Sequence, residues 1–182
     1  MKENKNIYKP LLNLARETIK AKLNKEQVVA TEDIKENFNK KQACFVTLTE
    51  EGELRGCIGS IEAHQELWKD VIDNSINAAF GDPRFEALEE GELPKIKIEI
   101  SILSVPQKLE FINSEDLLKK IDNKMGIILR KGYYGATFLP QVWEEIPEKI
   151  EFLEHLSRKA GLSKDDWKTA GYRFYRVESC KE

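Results

Sequence analysis

The chain has 182 residues with 29 basic and 32 acidic side chains, a formal net charge of −3 and 41% hydrophobic residues. That length buries a sizeable core, and the near-cancellation of charge excludes both a strongly basic nucleic-acid binder and a disordered chain of high net charge. No apolar run approaches the roughly 18 residues of a membrane span. With no leader-like apolar stretch and only Cys44, Cys57 and Cys180, a cytoplasmic protein without a disulfide framework is expected.

Ile7, Leu11, Leu12, Leu14, Ala15, Ile19 and Leu23 recur at helical spacing and predict an amphipathic helix over 8–23. Thr31, ahead of Glu32 and Asp33, reads as the cap of a short second helix. Ala43 to Leu48 is a β-rich run, and the charged turn Glu50-Glu51-Gly52 leads from it into 53–61, which predicts a hairpin. A stripe of Leu67, Trp68, Val71, Ile72, Ile76, Ala79 and Phe80 sets a helix over 65–80, stopped by Gly81.

Residues 95–105 alternate as a strand does: Ile96, Ile98, Ile100 and Ile102 point one way, Lys95, Lys97, Glu99 and Ser101 the other. Ser114 reads as the cap of a short helix carrying Leu117, Leu118 and Ile121. A second hairpin joins 125–131 to 135–139 through Gly132-Tyr133-Tyr134-Gly135. Pro140 and Pro147 bracket a helical turn at Val142-Trp143, and a helix over 149–160 stops at Gly161. Ser163 and Asp166 resemble a capping box, and Tyr172 to Val177 is the last strand. Strands that arrive mostly as hairpins predict an α+β fold of mainly antiparallel sheets with flanking helices.

Chemistry concentrates in Leu54-Arg55-Gly56-Cys57-Ile58-Gly59. Glycines inside a strand mark a bulge or a close approach of backbone or ligand. Simple alternation places Arg55 beside Cys57, where a guanidinium favours the reactive thiolate. Two readings stay open: an activated or ligand-contacting Cys57, or a free cysteine packed as a small hydrophobe. His64 and His155 are the only histidines, and neither has a spacing that makes it the base for Cys57. Glu99 and Ser101 share the polar face of the isoleucine strand, as cleft groups or as a solvated face. Asp82 and Arg84 straddle Pro83, to grip a polar ligand or to close a loop salt bridge. No zinc spacing and no phosphate-binding glycine loop occurs, so no metal is expected and the cofactor stays unassigned.

Taken together, Phe45-Val46-Thr47-Leu48, Arg55-Gly56-Cys57-Ile58-Gly59, Ala78-Ala79-Phe80 and Asp82-Pro83-Arg84-Phe85 resemble the AMMECR domain family. Glu99-Ile100-Ser101-Ile102-Leu103, Ala136 to Trp143 and Lys159-Ala160-Gly161-Leu162 extend the match in order over roughly 8–178. Prokaryotic members of that family are also called AmmeMemoRadiSam system protein A. The resemblance implies one α+β domain over 8–178, with a larger and a smaller subdomain packed around the cysteine segment. It further implies association with a Memo-like protein and a radical SAM protein, and it supplies no reaction. Cys57 is thus the candidate catalytic residue, with Arg55, Gly56, Gly59, Asp82, Arg84, Glu99 and Ser101 as candidate ligand contacts. Two functions remain: a ligand-binding or catalytic cleft around the cysteine motif, or a non-catalytic module that docks a Memo-like partner. Neither nucleic acid nor membrane is an expected partner.

Overall fold

Leu11, Leu14, Ala15, Thr18 and Ile19 fall on one face of helix α1 (Lys9–Leu23), and all five are buried. This computed structural model describes residues 7–182. Helix α2 (Glu32–Asn37) starts at Thr31, whose hydroxyl accepts the Ile34 N–H. Strands β1 (Cys44–Glu50) and β2 (Glu53–Gly59) form the first hairpin, turning through Glu51 and Gly52, both at positive φ. Helix α3 (Leu67–Phe80) and strand β3 (Ile96–Leu103) follow. Gly81 ends α3 without entering the left-handed region (φ −127°), so its glycine is not required there by backbone conformation.

Strand β4 (Gln107–Lys108) and helix α4 (Ser114–Lys120) come next. The cap of α4 is Asn113, whose side chain accepts the Asp116 N–H, and Ser114 is the first helical residue. Strands β5 (Gly126–Lys131) and β6 (Tyr134–Phe138) pair across a two-residue turn containing Gly132 at φ +60°. Helices α5 (Val142–Glu145) and α6 (Lys149–Lys159) follow, and Gly161 at φ +80° turns the chain after α6.

The expected last strand is in fact two: β7 (Gly171–Tyr175) and β8 (Val177–Lys181), which belong to different sheets. The sheets are four-stranded, β2-β1-β3-β8 and β4-β7-β5-β6. The pairs β1–β2, β1–β3, β4–β7, β5–β6 and β5–β7 are antiparallel, in keeping with the expected α+β fold. Alternation alone cannot see the break at Arg176, because a strand changing sheets keeps its apolar period.

The described chain divides into two compact units, 7–105 with 178–182, and 106–177. In the first, Cys44, Val46, Leu48, Ile98, Ile100 and Ile102 form the buried face of the sheet, in one core with α1 and α3 residues. Arg16 of α1 donates to the carbonyls of Leu93 (2.7 Å) and Ile96 (2.8 Å) and to the Glu182 carboxylate (2.8 Å). In the second, Ile127, Leu129, Tyr172 and Phe174 meet Leu117, Phe152, Leu153 and Leu156. Trp143 stacks on Phe152 with ring centroids 3.6 Å apart and donates its indole N–H to the Met125 carbonyl.

Candidate functional site

Strand β2 lies at the edge of its sheet, which leaves one row of its backbone groups facing away from β1. At Cys57 that row is already bonded. The Cys57 N–H donates to Asp82 Oδ2 (2.9 Å), and the Cys57 carbonyl accepts from Arg84 Nη2 (3.3 Å). Asp82 also accepts from Arg84 Nε (3.0 Å), Arg84 Nη2 (2.7 Å) and the Arg84 backbone (3.1 Å). The turn Asp82-Pro83-Arg84 therefore supplies the donor and acceptor that a neighbouring strand would bring. The Asp82 side chain is buried, and hydrogen bonds from Arg84 above all hold its carboxyl far below the usual range. Of the two roles open to Asp82 and Arg84, the loop salt bridge is the one observed.

Asp70, inside the start of α3, is bonded in the same manner. It is 1% exposed and accepts from the Cys44 N–H (2.9 Å), Asn74 (2.9 Å), Ser60 (3.2 Å) and Gln65 (3.2 Å). Two buried carboxylates, one at each end of α3, thus take the backbone amide of a cysteine on β1 and on β2. Between them the helix lies directly on Gly56: a Cβ there would collide with the Ala78 carbonyl. A Cβ on Gly59 would collide with the Phe45 ring and the Cys44 carbonyl. Both glycines are thereby accounted for by close packing.

A register shift between Leu48 and Thr49 leaves Arg55 with no partner on β1. Its guanidinium makes a two-point pair with Glu92, Nε to Oε1 at 2.7 Å and Nη2 to Oε2 at 3.1 Å. Hydrogen bonding from Arg55 pulls the Glu92 carboxyl below its ordinary value. Phe85 sits between the two arginines, 6.0 Å from Arg55 and 5.4 Å from Arg84. Each guanidinium is thus matched to its own carboxylate, and the side-chain partner of the Cys57 thiol is instead the Thr47 hydroxyl, 3.2 Å away.

The register places Cys57 opposite Thr47 and Thr47 opposite Glu99, one row across β2, β1 and β3 on the face turned away from α3. Cys57 and Glu99 are half-buried, and among the described residues the Glu99 side chain makes no hydrogen bond or ion pair. Ser101, two residues further along this face, is buried and bonded to the Ser179 hydroxyl (3.0 Å). Cys44 and Cys180 are buried as well, and burial pushes their thiols up, Cys180 to about 11. His64 lies against the Glu62 carbonyl and near Asp70, and His155 beside Glu151 on α6. Among the described residues no cluster of three or more His, Cys, Asp or Glu can hold a metal ion.

Sequence reasoning points to Cys57, Asp82, Arg84 and Glu99 but misses Thr47 and Glu92. Thr47 is within its reach, since a place between Val46 and Leu48 puts it on the face of Cys57 by alternation alone. Glu92 is not, because it comes from a 3-10 turn far along the chain.

A family model described as AMMECR1 matches residues 12–181. Protein Mbar_A1807 of Methanosarcina barkeri is 40% identical over 162 residues, covering 86% of this chain and 80% of the relative. Protein MK0488 of Methanopyrus kandleri is 38% identical over 174 residues, covering 93% and 84%. The crystal structure of uncharacterized protein PH0010 from Pyrococcus horikoshii is similar over 100% of this chain and 94% of its own, at 30% identity and a TM-score of 0.87.

Proposed function

The chain belongs to the AMMECR1 family, and from that premise we propose that it is a ligand-binding protein whose contact surface is the Cys57–Thr47–Glu99 row. The observation that supports this reading is the Glu99 carboxylate, which has no hydrogen bond or ion pair among the described residues and is held on the same row as a half-buried thiol and a hydroxyl. An unpaired acceptor of this kind suits a ligand that brings a hydrogen-bond donor or a cationic group. Nucleophilic catalysis is the weaker reading, because Cys57 has a hydroxyl for its neighbour where an activated thiol has a base or an uncompensated cation. The association with Memo-like and radical SAM proteins is part of the proposal and is carried by the family resemblance.

The test is complementation of a strain lacking its own copy, scored beside thermal stability. Glu99→Gln and Thr47→Val are expected to lose complementation while melting like the parent. Full complementation by a stable Thr47→Val/Glu99→Gln protein would overturn the proposal. Cys57→Ser then divides binding from covalent chemistry: a binding contact tolerates the hydroxyl in part, and a nucleophile does not.

A further inference from the structure

The second sheet has one face in the core and another that carries an unusual charge pattern. Lys108, Arg173, Ile128 and Thr137 form one row across β4, β7, β5 and β6. On the neighbouring row Arg130 stands between Gly171 and Gly135, so neither flanking strand contributes a side chain beside it. The missing side chain at Gly171 leaves a hollow of about 250 Å³ lined by Lys108, Ile128, Arg130, Gly171, Tyr172 and Arg173. Ile128 is buried, and the three basic side chains are exposed.

The paired strand positions on this face carry three cations and no carboxylate, in a chain where acids outnumber bases. The Arg173 side chain makes no hydrogen bond or ion pair among the described residues. Among the described residues Lys108 is paired only with Glu110, at 2.6 Å, with both side chains largely exposed, and an exposed pair of this kind is worth little. Arg130 has a partner of its own and adds to the rim. An unmatched arginine is a planar fork that suits phosphate oxygens, and a neighbouring lysine adds a compact point charge.

We propose that this hollow binds a small molecule through a phosphate or diphosphate group, with Arg173 and Lys108 as its main ligands. The size fits a small polar group better than a drug-sized molecule. Three cations are also too few to follow the backbone of a nucleic acid, whose binders neutralise many phosphates.

The probe is inorganic pyrophosphate, titrated at constant ionic strength into the full chain labelled with nitrogen-15. Saturable one-to-one shifts are expected at the amides of Lys108, Ile128 to Arg130 and Gly171 to Arg173. Arg173→Ala should weaken binding about tenfold or more and Lys108→Ala several-fold, whereas Lys22→Ala on α1 should change nothing. With no hydrogen bond or ion pair from the Arg173 side chain among the described residues, its alanine variant should melt like the parent. Unsaturable shifts, shifts spread over basic residues elsewhere, or equal affinity for parent and Arg173→Ala would each overturn the proposal. So would binding of an RNA oligomer by a protein that ignores pyrophosphate.

Discussion

At the scale of single residues the site is held by contacts that leave little room for substitution. Gly56→Ala drives a methyl group into the Ala78 carbonyl, a backbone atom that moves only with α3. The expected loss is about 1–3 kcal/mol, read from denaturant unfolding at unchanged slope. Asp82 has a folded-state pKa below its unfolded value, so its contribution is complete above the unfolded carboxylate range, near pH 4, and drains away as the pH falls further. Asp82→Asn should therefore cost about 2 kcal/mol at pH 7 and flatten the acid limb of the stability profile below about pH 4. An unchanged acid limb would show that the depressed carboxyl lies elsewhere. Iodoacetamide should modify the native protein once per chain, at Cys57, because Cys44 is 0% exposed and Cys180 2%. Intact mass and peptide mapping check this. The residue types of the motif are legible in the sequence, but their partners are not: Arg55 finds Glu92 through a register shift, whereas alternation assigns that guanidinium to Cys57.

The elements are more legible in the sequence than their connections. Period-3.6 stripes locate α1 and α3, and alternation locates β3, because each buries one face and the pattern records it. Two-residue β4 escapes any periodicity, and the sheet change between β7 and β8 leaves no mark in hydropathy. Strand β2 is where an element-level measurement is most informative. Edge amides exchange quickly unless an acceptor covers them, so the Cys57 amide should exchange slowly with solvent deuterium while Asp82 is intact. In Asp82→Asn the exchange at Cys57 should speed up more than at Val46, which lies inside the sheet; equal acceleration of both would mean that the strand opens as a whole.

At the scale of the molecule there are two cores, and the tryptophans divide between them: Trp68 packs against one, Trp143 and Trp167 lie in the other. Trp143 and Trp167 are 4% and 2% exposed. Trp68→Phe should hence shift the emission maximum to shorter wavelength, leaving a signal that reports the second unit alone. Among the described residues no helix is long and apolar enough to cross a membrane. The order of the strands carries one more consequence, which concerns how the chain acquires its shape in time. Ser101 lies beside Ser179 and Ile98 beside Glu182, so β8 runs antiparallel to β3 and residues 106–177 fill the loop of a hairpin. Pairing β8 means closing that loop, at an entropic cost set by how much slack the chain retains. A second unit already folded removes most of the slack. Because β8 follows the inserted unit in the chain, the first sheet cannot gain its fourth strand during synthesis until that unit has been made. Only then do β8 and the Arg16–Glu182 bond complete it.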